Sequence, residues 1–278
     1  MRLPVINQEL AEKIQQSEID YLFSRINSIR EREGNPEGVE IVNFGRTTAY
    51  YIKTMPWGIF NSVKGISDDE IDKLGDITQF YQTKDRTFQI DVNPIHCSSK
   101  LFESLSKHGF YQSCYHSVLY GLPTVEQPKL PSNMRIVEID TETEFDSYAE
   151  IHCLGSGMSL SDKHHFIKNN IGLLNRPGWK LFLGYLNDIP AGVAVMHISN
   201  NIASCTLAAT TPQYRKRGLQ TALLHRRMYE AYKADCKLVV AQASFGSSSQ
   251  NNMERVGFQM AWTRSIWVPH KNNSERGM

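Results

Sequence analysis

The stretch Cys205–Arg227, CTLAATTPQYRKRGLQTALLHRR, constrains the fold more than any other part of the chain. It opens on small and apolar residues, halts at Thr210, Thr211 and Pro212, and resumes with Leu219, Ala222, Leu223, Arg226 and Arg227 at spacings of three and four. Pro cannot continue a strand ladder, and the three-four spacing gathers side chains on one helical face, so the stretch predicts strand, turn and helix. Gly218 falls in the first turn of that helix, next to Arg215, Lys216 and Arg217. A helix start exposes unpaired N–H groups and a partial positive charge, which favours acidic side chains there. Cations at that end instead point to a site for an external anion, which Gly lets approach the backbone, with a solvated basic helix start as the plain alternative.

Neither the GxxxxGK[ST] nor the GxGxxG phosphate pattern occurs in the segment. It resembles the Arg/Gln-x-x-Gly-x-Gly/Ala segment of the GNAT N-acetyltransferases, read here as Arg215, Gly218 and, at the last place, Gln220. The resemblance implies that backbone N–H groups of Arg215, Lys216, Arg217, Gly218, Leu219, Gln220 and Thr221 hold the pyrophosphate of acetyl-CoA. It also implies that the pantetheine arm runs along the strand edge at Ala208, Ala209 and Thr210. Gln220 departs from the pattern, because a small residue there normally clears space for the pyrophosphate. The small side chains of Ala208 and Ala209 fit tight packing in a buried strand equally well.

Along the chain, helical spacing over Leu10–Ile29 ends at Gly34, Asn35 and Pro36. Val39–Lys53 predicts one or two strands and Phe60–Ile66 another. A helix is expected from Asp68 to about Tyr81, capped by Ser67, then a strand at Phe88–Val92, a helix at Ser98–Lys107 and a strand at Phe110–Leu119. The Pro-rich stretch Gly121–Asn133 reads as a linker. Beyond it come a strand at Met134–Ile139, a helix at Glu144–Cys153, a Gly/Ser loop at Leu154–Leu160 and a helix at Ser161–Leu174. A hairpin of Trp179–Leu186 and Ala191–Ile198 follows, then strands at Ile202–Thr210 and Leu238–Gln242, a helix at Ser248–Val256, and two short strands within Phe258–Val268.

This order is that of a GNAT fold, so the resemblance covers Met134 to Val268, and SQNNMERVGF, Ser249–Phe258, is similar to the closing Gly-Phe motif of the family. The expected fold class is α/β (α+β), with a mixed, mostly antiparallel sheet flanked by helices. The first half echoes the second. Ile90 to Gly109 and Leu238 to Gly257 both span 19 positions, and each ends in Gly-Phe after a helix. We therefore expect a degenerate GNAT-like copy over residues 1–120, a linker over 121–133 and a catalytic domain over 134–270. Asp68, Asp69 and Glu70 at the expected helix start of the first copy would repel a pyrophosphate, which leaves that copy a structural role beside the substrate cleft.

A net charge of +1 argues against nucleic acid or an anionic membrane surface as the main partner. The five cysteines form no CxxC pair or zinc spacing, no apolar run is long enough to span a membrane, and the first residues lack a secretory pattern. The expectation is a cytoplasmic protein with reduced thiols and no metal. Its partners would be acetyl-CoA and an amine.

Acetyl transfer from a thioester needs a held cofactor, a neutral amine, an oxyanion donor and an acid for the departing thiolate. Many GNAT members carry a Tyr as that acid four residues before the Gly of Gly-Phe, where this chain has Met253. The string Ser249, Met253, Glu254, Arg255 resembles the branch that acetylates the N-termini of ribosomal proteins, which implies Ser249 as the acid and Asn252 as a cofactor contact. Ser247, Ser248 and Ser249 also suit a plain polar helix start. No carboxylate lies on Ile202–Thr210 to serve as base, which leaves His197 or a water relay. Two other readings stay open, a non-catalytic acyl-CoA-binding regulatory module and a binder of a different phosphate ligand.

Overall fold

The structure is a computed structural model that describes residues 2–270. In chain order its elements are α1 (Gln8–Arg30), β1 (Val39–Phe44), β2 (Thr47–Ile52), β3 (Ser62–Lys64), α2 (Leu74–Gln82), β4 (Gln89–Val92), α3 (Ser99–Lys107) and β5 (Phe110–Gly121). There follow β6 (Met134–Glu138), α4 (Glu142–Ser156), α5 (Lys163–Asn170), β7 (Trp179–Leu186), β8 (Ile189–Ser199) and β9 (Ile202–Thr210). The chain closes with α6 (Leu219–Lys233), β10 (Leu238–Ser244), α7 (Ser248–Arg255) and β11 (Gln259–Pro269). No regular element occupies residues 122–133, the stretch read as a linker.

Two compact units result. One takes the chain through Ser28 together with Val118–Ala261, and the other takes Ile29–Ser117 and the chain from Trp262 onward. Helix α1 thus belongs almost wholly with the later half of the sequence, and most of β11 with the earlier half. The chain passes between the units at three places, inside α1 after Ser28, inside β5 after Ser117 and inside β11 after Ala261.

The first unit has the strand order β5-β10-β9-β8-β7-β6, of which β5 contributes Val118–Gly121. Strands β6 to β9 run antiparallel to their neighbours, whereas β10 runs parallel to β9 through the α6 crossover. Asn187 and Asp188, both at positive φ, form the two-residue turn of the β7–β8 hairpin, the turn type that matches strand twist. One core layer joins Leu219, Leu223, Leu224 and Met228 of α6 to Ala203, Cys205, Val239, Ala241 and Ala243 of the sheet. Helices α4 and α1 lie against the same strands, where Ser204 Oγ donates to the Ser17 carbonyl and Trp179 Nε1 to Ser24 Oγ.

The second unit has the order β1-β2-β3-β4-β11-β5. Strands β3 and β4 are parallel, and β4 pairs antiparallel with β11 from Val92↔Ser265 to Ile90↔Trp267. Its core gathers Leu74, Ile77, Tyr81, Leu101, Leu105 and Phe110 around Ile90, Val92 and Trp267. On β4, Asp91 is buried with Lys64 and Arg264, and Gln89 Nε2 donates to it at 2.8 Å. Burial pushes the Asp91 carboxyl up, but the two cations outweigh it and hold it down at about 2.

Four local expectations need correction. The stretch from Asp68 begins as a 3-10 turn over Asp68–Lys73 with a break at Glu70 (φ −107°, ψ 16°), and the α-helix starts only at Leu74. The buried Glu70 carboxylate accepts from Ser67 Oγ at 2.6 Å and from the Arg46 N–H at 3.2 Å, and these contacts outcompete regular winding. Helix α4 runs on to Ser156 through the expected loop, because Gly155 lets it close on β9: a Cβ there would stand 2.8 Å from Ala209 Cβ. The helix expected over Ser161–Leu174 is α only at Lys163–Asn170, between 3-10 turns. Gln259–Pro269 is one strand, not two.

Candidate active site

Strand β9 pairs with β10 from Ile202↔Leu238 to Cys205↔Ala241 and no further, although β9 continues to Thr210 and β10 to Ser244. The two strands therefore part. Over the same stretch β9 carries a bulge against β8, with Leu207 and Ala208 facing the single residue Ala194, and Leu207 at φ 45°. A bulge turns backbone groups out of the ladder and bends the strand, so the edge beyond Cys205 is free to meet another extended group. Ala208 is exposed there, whereas Ala209 and Thr210 are buried. For Ala209, then, the side chain serves packing against Gly155.

At the end of β9 the chain makes a 3-10 turn, Pro212–Tyr214, and enters α6 with Lys216 at φ 62° and Gly218 at φ 78°. Gly218 is the residue preceding the helix, not part of its first turn, and no side chain caps that end. Open space faces Gly218 where a Cβ would point. Leu219 anchors the helix start: Cβ atoms at Gly184 and Gly192 would come within 2.8 and 2.7 Å of its side chain, so the two glycines let it seat closely on the sheet.

The three cations of the turn have different settings. Arg215 is committed, with Nη2 donating to the Gly155 carbonyl at 2.8 Å and Nε to the Thr210 carbonyl at 3.3 Å. Lys216 is exposed, and Arg217, also exposed, stands over the Tyr214 ring at 5.4 Å. Gln220 does not block the helix start, since its Nε2 turns back to the Ala209 carbonyl at 2.8 Å and Thr210 Oγ1 at 2.7 Å. Thr221 is half-buried one residue further along α6.

On α7, Ser247 is the cap, accepting from the Gln250 N–H at 3.3 Å. Ser249 is exposed in the first turn, Gln250 and Met253 form the buried face, and the half-buried Asn252 accepts from Arg255 Nη1 at 3.1 Å. Gly257 ends the helix at φ 95°, and Phe258 is buried behind it. His197, the other base considered, pairs across to Ser204 and Trp179, well down the strands from Ala208–Thr210. Burial lowers its imidazole to about 4, against the partial support of Asp20. His164 and His165 are exposed on α5. Among the described residues no cluster of His, Cys, Asp and Glu is arranged for a metal, and no helix is long and apolar enough to cross a membrane.

Sequence reasoning missed the bulge at Leu207, the strand parting after Cys205, and Gln242 on β10, whose amide nitrogen is buried without a hydrogen-bond partner. The first two depend on register, which a single strand does not display.

No protein-family model matches the sequence, and neither does any curated protein. Solved structures do. A GCN5-related N-acetyltransferase from Kribbella flavida is similar with a TM-score of 0.68 at 14% identity, over 95% of this chain and 97% of that one. The chain has the GNAT fold. A second GCN5-related N-acetyltransferase, from Sphaerobacter thermophilus, gives a TM-score of 0.61 at 13% identity over 96% of both chains. A tandem GNAT protein from the clavulanic acid biosynthesis pathway gives 0.55 at 12% identity, over 69% of this chain and 66% of that one.

Proposed function

We propose that the unit holding β9 and α6 binds acetyl-CoA and transfers its acetyl group directly to a primary amine of a small molecule or peptide. The observation that carries this reading is the parting of β9 and β10 after the Cys205↔Ala241 pair, beside the uncapped helix start at Gly218 with Lys216 and Arg217 exposed around it. The pyrophosphate would rest on the N–H groups from Lys216 to Thr221, and the pantetheine would take the free edge at Ala208–Thr210. Arg215 braces the turn.

The amine nitrogen attacks the thioester carbonyl carbon, a C–N bond forms, the C–S bond breaks, and Ser249 delivers a proton to the departing thiolate. Water carries the proton lost by the amine to Ser249, which has given up its own, because β9 carries no carboxylate and His197 is sited away from the bulge. In the other unit no α-helix begins at the acidic Asp68–Glu70 segment, which speaks against a counterpart of the Gly218 site in that half. It would be a degenerate GNAT-like copy that binds no cofactor. Coenzyme A thiol released from acetyl-CoA in the presence of a panel of amines tests the proposal. Release above the amine-free rate supports a transferase, and binding without release with any amine supports the non-catalytic acyl-CoA-binding module.

A further inference from the structure

The second unit has no task in the chemistry of acetyl transfer, yet it holds a cavity of about 470 Å³ whose walls come from the end of β4, from α3, from β5 and from β11, all within that unit. On α3, Leu101 and Leu105 fill the core, whereas Phe102 is 38% exposed and stacks on the Trp267 indole, with ring centroids 5.8 Å apart and planes 18° apart. Tyr115 of β5, also on the wall, is 54% exposed. Aromatic surface left in water around a concavity is a usual mark of a ligand groove. The size agrees, since pockets for small molecules run from roughly 300 to 1,000 Å³, with an apolar lining and a few polar groups. Here the polar groups carry no charge. Gln112 brings an amide and Thr263 a hydroxyl, and Ser265, whose Oγ accepts from Trp267 Nε1 at 2.9 Å, can still donate its own proton. Among the described residues no charged side chain lines the cavity.

We propose that this cavity binds a flat, uncharged aromatic molecule bearing a carboxamide. An ion would leave water here without an opposite charge to meet it, and desolvating an unpaired charge is costly. A flat ring can instead lie offset or edge-on against Phe102, Trp267 and Tyr115, the arrangements that aromatic pairs prefer. The carboxamide follows from the polar side chains: its donor and acceptor match the Gln112 amide, and its carbonyl can also accept from the Thr263 or Ser265 hydroxyl. The site uses no residue of β9, the turn after it or α6, so the inference stands independently of the acetyl-transfer reading.

The test is equilibrium dialysis of the full chain against 2-naphthamide, 2-naphthoate and decahydro-2-naphthamide, which share a skeleton and differ in charge or in flatness. The amide 2-naphthamide should bind at least about tenfold more tightly than either analogue, and Phe102→Ala should weaken it by about tenfold. Gln112→Leu, at an exposed position, should weaken it by about fivefold through the lost hydrogen bonds. Thermal melting shows whether the variants are folded, and if Phe102→Ala melts early, Gln112→Leu decides the matter. No binding of 2-naphthamide, equal or tighter binding of either analogue, or unchanged affinity in a folded variant overturns the proposal. Displacement of 2-naphthamide by acetyl-CoA also overturns it, by placing the probe in the candidate cofactor site.

Discussion

The side chain of Gln220 donates to the carbonyl oxygen of Ala209 at 2.8 Å and so ties the first turn of α6 to the end of β9. The residue whose size threatened the pyrophosphate space is folded back onto the strand, which leaves the approach to Gly218 open. Gln220→Ala should therefore weaken acetyl-CoA binding by several-fold through a looser turn, and lower stability by about 1 kcal/mol for the lost hydrogen bonds. Calorimetry checks the sign. Tighter binding in Gln220→Ala would mean that the side chain obstructs the site.

Arg217→Glu puts a carboxylate beside the open helix start without touching a packed contact, since Arg217 is exposed and only stands over Tyr214. Losing one charge-assisted contact costs roughly 1.5–3 kcal/mol, so acetyl-CoA affinity should fall about ten- to a hundredfold. Arg215→Ala should act differently. Its two carbonyl contacts join β9 to α4, so its main effect should be on thermal stability rather than on affinity.

Ser249 is exposed and is not the cap of α7, a role that Ser247 fills, so Ser249→Ala should leave the fold intact. As the proposed acid, its loss should lower kcat by about 10²-fold while acetyl-CoA affinity stays within roughly threefold. Steady-state kinetics beside calorimetry separates the two quantities. An unchanged kcat would reduce Ser249 to a helix-start residue, and joint loss of rate and affinity would make it a cofactor ligand.

Much of the local frame around the candidate site was legible in the sequence because local rules decide it. Thr210, Thr211 and Pro212 stop β9 at the expected residue, and Gly257 ends α7 at positive φ just where Gly-Phe predicts. What was hidden depends on distant partners. Nothing near Leu207 announces a bulge, since it arises from register against Val193 and Val195. The expected α-helix from Asp68 gave way because Arg46, 24 residues earlier, presents its N–H to Glu70. Likewise the two short strands expected within Phe258–Val268 carry no sign that residues 265–267 pair with Ile90–Val92 in the other half of the sequence.

That pairing predicts a pH dependence. Asp91, held at about 2 between Lys64 and Arg264, sits below the ordinary carboxylate value near 3.9, so it stabilises the fold above pH 4 and loses that contribution as pH falls toward 2. The amount is on the order of 2–3 kcal/mol. Denaturant unfolding between pH 5 and pH 2 should show this loss, and Asp91→Asn should flatten it while lowering stability at pH 7 by roughly 3–5 kcal/mol, because two buried cations lose their anion. A pH profile unchanged by Asp91→Asn would show that other carboxylates govern acid unfolding.

We expect one anion-binding helix start, at Gly218, to hold one coenzyme A per chain. Native mass spectrometry of the protein with acetyl-CoA measures this directly, with Gly218→Asp as the paired variant. One bound equivalent is expected, lost in Gly218→Asp. No bound acetyl-CoA, two equivalents, or one equivalent that persists in Gly218→Asp would contradict it.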